Sequence, residues 1–184
     1  MQIVKTAIEG LLEITPVVYY DTRGWFLEFY KEDPFHTMGI TYNFTQENIS
    51  FSKKGVLRGL HFQRAPWQQA KLVSVLSGKV MDVVVDLRPG SATFGKTHTC
   101  ILDSEKRNML MVPEGFAHGF AALEDSLFLY KSSSTYNRDF ESGIVWNDPE
   151  LNIQWPFANP VLSEKDQKLP TLQELLRKSV ISRI

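Results

Sequence analysis

A chain of 184 residues can fold around one globular core but is short for two full domains, so a single domain over residues 1–184 is expected. Its 20 Lys and Arg balance 21 Asp and Glu for a net charge of −1, which leaves no basic surplus to hold a phosphate backbone and argues against nucleic acid as a partner. Cys100 is the single cysteine, so no internal disulfide is possible, and no stretch approaches the ~20 apolar residues of a membrane span. With no basic leader ahead of an apolar run at the N-terminus, a soluble cytoplasmic protein is expected.

In chain order, "LLEITPVVYYD" and "RGWFLEFYK" are β-branched and aromatic runs around a turn at Asp21 to Gly24. A short helix is predicted around "EDPFHTMG". In "FTQENISFS", Gln46, Asn48 and Ser50 alternate with Glu47, Ile49 and Phe51, giving one wholly polar strand face. Such a face usually meets water, but a small β-barrel can also turn it onto a ligand, and the alternation alone leaves both open. "AKLVSVLSGKVMDVVVDLR" reads as two strands about Ser77-Gly78. "RNMLMVPEGFAHGFAALEDSLFLYKSS" reads as further strands broken at Pro113, Gly115 and Glu124-Asp125. Helical spacing returns only after Pro170, where "TLQELLRKSV" puts Leu172, Leu175 and Leu176 on one side. Many short strands and few helices predict an all-β jelly-roll barrel or sandwich.

Several polar groups stand where apolar ones are expected. His61 follows Gly55 by six positions, and His118 sits in "PEGFAH", a Pro-x-Gly-x-x-His pattern that resembles the second signature of the cupin superfamily. The resemblance implies a double-stranded β-helix barrel with both histidines in its cavity. Metal-binding cupins pair His-x-His with a nearby Glu, because a divalent ion needs several N and O donors converging at about 2 Å. Here the chain reads His61-Phe62-Gln63 and then Gln68, so the second His and the Glu are missing and a metal-dependent oxygenase is disfavoured. A histidine free of metal can act as a base if a carboxylate orients it. Asp82, Asp86, Asp125, Asp139, Asp148 and Asp166 are all candidates, and spacing does not choose among them. An acid could be Tyr130, in phase with Phe128, or Tyr19, Tyr20, Tyr30 or Tyr136. Lys71 is in phase with Val73 and Val75 and could present an ammonium to an oxyanion inside the barrel. Arg58 and His61 are out of phase in a regular strand, and a bulge at Gly59 would turn both inward. Arg23 and Arg58 are candidates for a diphosphate, since guanidinium forks match phosphate oxygens.

Taken together, "DTRGWFLEFY", the run from "FTQENISFS" to "PGSATFGK", "PEGFAHGFAALEDSLFLYK", "ESGIVWNDPELNIQWP" and "LSEKDQKLP" closely resemble the dTDP-4-dehydrorhamnose 3,5-epimerase family, from about Gly10 to Pro170. The resemblance implies that His61 and Asp166 form the base, Tyr130 the acid on the opposite face of the sugar, and Lys71 the stabiliser of the enolate oxygen. It maps substrate contacts onto Arg23, Glu28, Gln46, Asn48, Arg58, His118, Glu141 and Lys165, with Tyr136 stacking on the thymine. It further implies a homodimer in which "RGWFLEF" reaches the neighbouring site, a dTDP-linked 4-keto-6-deoxy sugar as substrate, and no metal or organic cofactor. "TYNRDFESG" lacks a proline often found there, and "KTHTCILD" carries His98 and Cys100 in place of a tryptophan-containing strand. Relatives inverting only C3 or only C5 keep the same His, Asp and Tyr, so a monofunctional epimerase is the alternative, with a non-catalytic nucleotide-sugar-binding cupin behind it.

Overall fold

The computed structural model describes residues 1–37, 39–178 and 180. Four short strands come first: β1 (Gln2–Lys5), β2 (Leu12–Thr15), β3 (Val18–Asp21) and β4 (Gly24–Leu27). After helix α1 (Glu32–Thr37) follow β5 (Gln46–Ser52), β6 (Leu57–Gln63), β7 (Lys71–Ser77), β8 (Lys79–Asp86) and β9 (Thr97–Asp103). Then come β10 (Met109–Val112), β11 (Phe116–Ala122), β12 (Ser126–Ser132) and β13 (Glu141–Gly143), a 3-10 turn at Asp166–Lys168 and helix α2 (Leu172–Arg177). The strands form a sheet in the order β1-β2-β10-β7-β12-β5, a second in the order β13-β6-β11-β8-β9, and the separate hairpin β3-β4. All these pairings are antiparallel, and the fold is a cupin-type jelly roll.

Period-2 alternation sorts the side chains. Val73 and Val75 of β7, Val80 and Val84 of β8, Phe116 and Phe120 of β11, and Phe128 of β12 point inward and make one core between the sheets. The opposite face of β8 and β11, with Met81, Val83, Val85 and Ala117, is covered by the C-terminal segment through Leu151, Leu172 and Leu175. Both faces of β8 are therefore buried, which is why "VMDVVVD" reads as an apolar run rather than an alternation. Among the described residues no helix is long and apolar enough to cross a membrane.

Element boundaries follow the turn residues. The expected hairpin at Asp21 to Gly24 is present, but the run "LLEITPVVYYD" divides at Pro16, which cannot donate to a ladder. In α2, Thr171 accepts from the Glu174 amide while the Glu174 carboxylate accepts from the Thr171 amide, a capping box that starts the helix directly after Pro170. Leu172 and Leu175 are buried, whereas Leu176, expected on the same side, is exposed because six residues bury only a narrow stripe. Ser179 of that expected helix and Met38 of the "EDPFHTMG" segment lie outside the described residues.

The bulge in β6 is real. His118 pairs with His61 and Phe120 with Arg58, so Gly59 and Leu60 together stand opposite Gly119. Gly59 has φ +122°, and a Cβ there would lie 2.5 Å from Gly119 Cα and 2.9 Å from the His118 carbonyl oxygen. Backbone at that φ is open essentially to glycine alone, and neither obstruction is a flexible side chain. Gly59→Ala is therefore expected to destabilise the protein by roughly 3 kcal/mol, read as a lower denaturant midpoint. A midpoint equal to that of the wild type would refute the close-approach argument.

Candidate active site

A cavity of about 470 Å³ opens between the two sheets, lined among others by Arg58, His61, Lys71, His118, Tyr130 and Asp166. A smaller one of about 250 Å³ shares His61, Lys71 and Tyr130 with it and adds Gln46, Asn48, Tyr136 and Glu141. Alternation explains most of this list. Lys71 continues the inward series Val73 and Val75, Tyr130 continues Phe128, and the polar series Gln46, Asn48 and Ser50 of β5 faces the cavities. The polar face of β5 is thus the inner one, and Ile49 and Phe51 are exposed on the outside. The Gly59 bulge reverses the phase between Arg58 and His61, and both reach the same cavity.

The His61 Nε2 lies 2.7 Å from Asp166 Oδ1. Asp166 enters from the 3-10 turn, where its amide donates to Ser163 Oγ at 3.1 Å. Burial alone would raise its pKa, but the hydrogen bond and charge of His61, with support from the Gly59 backbone and Ser163, hold the carboxyl below the usual range. An ionised Asp166 accepts from Nε2 and leaves Nδ1 as the free ring nitrogen. None of the other five candidate aspartates is bonded to His61 among the described residues. Asp82 pairs with His118, Asp86 is held by Arg88, Ser91 and Thr93, and Asp125 accepts from the Lys54 amide. Asp148 caps α2 through the Leu172 amide, and Asp139 lies in the turn whose carbonyl accepts from Arg64.

Lys71 carries no hydrogen bond among the described residues, and its Nζ stands 5.9 Å from the Tyr130 ring centroid. Burial pulls its pKa down to about 8, with the charges of Glu141 and Asp82 opposing the fall. It is an ammonium at neutral pH, held in a low-dielectric site without a fixed acceptor. Burial raises the pKa of the Tyr130 phenol; the charge of Arg58 works against the shift and that of Glu141 with it. That keeps the phenol a proton donor across the neutral range. His61, Lys71 and Tyr130 therefore bring an imidazole, a cation and a phenol to one space.

The remaining expected contacts divide into two groups. Arg58 stands at the cavity rim, its Nε donating to Ser52 Oγ and a terminal nitrogen to the Phe51 carbonyl, at 2.9 and 3.0 Å. Glu141 accepts from the Tyr136 hydroxyl at 2.7 Å and pairs with Lys165 at 2.5 Å. Burial pushes the Glu141 carboxyl up, but Lys165 and Tyr136 together hold it below its ordinary value. Gln46 donates to Asn48 and accepts from the Tyr136 amide, tying β5 to the loop that carries Tyr136. Arg23 and Glu28 are not brought to either cavity. Arg23 is exposed on the β3-β4 turn and paired with Asp21 at 2.6 Å, and Glu28 is paired with Lys31 at 3.4 Å. Residues that sequence reasoning did not single out are Ser52 and Ser163, which orient Arg58 and Asp166; a lone serine carries no spacing signal.

A family model described as dTDP-4-dehydrorhamnose 3,5-epimerase matches residues 5–174. The chain is 43% identical over 185 residues to the dTDP-4-dehydrorhamnose 3,5-epimerase of Escherichia coli strain K12, covering 99% of this chain and all of the relative. Its structure is similar to that of the same-named enzyme of Elizabethkingia anophelis, with a TM-score of 0.91 and 45% identity, covering 95% of this chain and 97% of that one. It is also similar to a Legionella pneumophila epimerase solved with dTDP-4-keto-L-rhamnose, with a TM-score of 0.92 and 42% identity, covering 97% and 96% of the two chains. With the cavity, its acid and base groups, and sequence similarity along almost the whole length in agreement, the chain belongs to the dTDP-4-dehydrorhamnose 3,5-epimerase family.

Proposed function

We propose that this protein converts dTDP-4-dehydro-6-deoxy-D-glucose to dTDP-4-dehydro-L-rhamnose by inverting C3 and C5 in turn. The observation that carries the reading is the His61–Asp166 hydrogen bond at 2.7 Å, beside Lys71 and Tyr130 in one cavity. The C4 ketone of such a sugar acidifies the protons on both neighbouring carbons. His61, oriented through Nε2 by Asp166, removes one of them with Nδ1, and the electron pair moves onto the C4 oxygen. The Lys71 ammonium holds the resulting enolate oxygen by a charge-assisted hydrogen bond. Tyr130 returns a proton from the opposite face, which inverts the centre; exchange with solvent then takes the proton from His61 and restores that of Tyr130, and the same groups serve the second carbon.

The nucleotide end falls to the smaller cavity. Tyr136 is the aromatic for the thymine ring, and Gln46, Asn48, Glu141 and Lys165 supply polar contacts around it; Arg58 and His118 face the sugar and phosphate side. Arg23 and Glu28 act in the site of a second copy of the chain. Support comes from the outer face of β5, β12 and β7, where Ile49, Phe51, Leu76 and Leu127 are exposed and Leu76 lines a cavity with Trp25 and Phe26 of the hairpin. Apolar side chains exposed on one sheet face call for a partner, and a homodimer supplies one. Sedimentation velocity should give twice the chain mass of 21.1 kDa; a monomer at micromolar concentration would contradict this arrangement.

The reaction is tested by turnover in D2O. Deuterium at both C3 and C5 of the keto sugar is expected, label at one carbon would make the protein a monofunctional epimerase, and binding without exchange would make it a nucleotide-sugar-binding protein. Tyr130→Phe should lower the rate of product formation by about 10²-fold while leaving KM near that of the wild type, because the hydroxyl acts on the proton rather than on binding. An unchanged rate removes Tyr130 from the mechanism.

A further inference from the structure

Asp82 is fully buried behind the cavity-lining His118, and the reaction above makes no use of it. It lies in the middle of β8, in phase with Val80 and Val84, so its carboxylate points into the interior between the sheets. Its side chain has no solvent exposure at all. An ionised carboxylate is strongly disfavoured in such surroundings unless it is hydrogen-bonded. The buried Asp86 and Asp148 hold a turn and a helix start with their hydrogen bonds. Asp82 holds neither. Among the described residues its hydrogen-bond partner is the cavity-lining His118, whose Nε2 stands 2.9 Å from Oδ2 and 3.1 Å from Oδ1.

A carboxylate only accepts, so Nε2 of His118 carries the hydrogen and Nδ1 is left for the cavity. The ring is further fixed by stacking on Phe128 at 6.0 Å, with 29° between the planes. His118 and His61 are cross-strand partners, so two His–Asp pairs stand side by side. They differ in access. The His61 side chain is 26% exposed, against 8% for His118 with a fully buried aspartate behind it. The first pair can pass protons; the second is suited to hold an orientation and a charge.

That charge has a target. Lys71 shares the cavity with His61 and Arg58 from β6, His118 from β11 and Tyr130 from β12, and the anions acting on it are Glu141 from β13 and Asp82 from β8. Glu141 is already paired with Lys165 and bonded to Tyr136. Asp82 faces no paired lysine or arginine among the described residues.

We propose that Asp82 is a positioning residue for the reaction, fixing His118 with Nδ1 toward the cavity and placing a buried negative charge behind the cavity that Lys71 shares. The inference rests on the epimerase reading of the site. Asp82→Asn preserves shape and removes the charge. It is expected to lower kcat by about 10- to 100-fold with little change in KM, and to move the alkaline limb of the kcat/KM profile to lower pH. Asp82→Glu, which keeps the charge, should leave that limb where the wild type has it. A loss of packing alone would reduce the folded fraction without moving the limb, so an unmoved limb in Asp82→Asn overturns the proposal. A second measurement needs no variant of Asp82: in wild-type protein labelled with ¹⁵N histidine, the His118 ring should show Nε2 protonated through neutral pH. An unprotonated Nε2 overturns the proposal whether or not Asp82→Asn folds. Deuterium exchange by the wild type is measured beside these, and its absence would sink the epimerase reading itself, whereas exchange with an unmoved limb sinks only the role of Asp82.

Discussion

His61→Ala is expected to lower solvent-deuterium incorporation at both C3 and C5 by about 10³- to 10⁴-fold, the range for removing a positioned base from a proton-transfer step. One histidine serves both carbons, so the two rates should fall together. The protein should remain folded and still bind dTDP, since the His61 ring is partly open to the cavity and the nucleotide contacts lie in the smaller space around Tyr136. The Asp166 carboxylate left behind is nearly sealed from solvent and loses its first partner, which predicts a modest loss of stability as well. Exchange within tenfold of the wild type at either carbon would show that another group removes that proton.

Lys71→Met should cost about 10²- to 10³-fold in kcat, the size of effect seen when one donor to a developing oxyanion is removed. The pH dependence separates this role from simple packing. The Lys71 pKa lies near 8, so the ammonium predominates below that pH and is lost as pH rises through it. The kcat/KM of the wild type is therefore expected to fall on the alkaline side near pH 8, and the methionine variant should lack that limb. Stability runs the other way. Because the folded-state pKa is below the ordinary lysine value of 10.5, the unfolded chain binds more protons between about pH 8 and 10.5, and the contribution of Lys71 to stability rises with pH across that window. Removing the charge should leave the protein at least as stable at neutral pH as the wild type, because a buried cation without a fixed acceptor opposes folding. A variant with wild-type kcat, or one that retains the alkaline limb, would take Lys71 out of the mechanism.

Alternation read from the sequence placed Lys71 with Val73 and Val75, and Tyr130 with Phe128, correctly on the inner face, because a period of two leaves no freedom once one face is buried. The same rule left β5 ambiguous. Its polar side faces the cavity and its apolar side faces outward, the reverse of a strand on a solvated sheet, and no count along seven residues distinguishes those cases. Glycine within an apolar strand signals the bulge at Gly59, because it has few other uses there. What the sequence could not display was its neighbour: Gly119, sixty positions on, whose missing Cβ makes room for it.

Chemistry followed the same division. The types of group present, four histidines, a lysine and arginine inside apolar runs, and a defective metal-ligand pattern, together with similarity to one enzyme family, were legible in the one-dimensional chain. Local periodicity and residue chemistry carry that information because they depend on near neighbours or on none. Which of six aspartates meets which histidine was decided by the tertiary structure: a 3-10 turn near the C-terminus brings Asp166 across 105 positions to His61, and β8 lies beside β11 so that Asp82 meets His118. Those pairings depend on how two sheets stack and on where the chain returns, and separation along the sequence does not encode either.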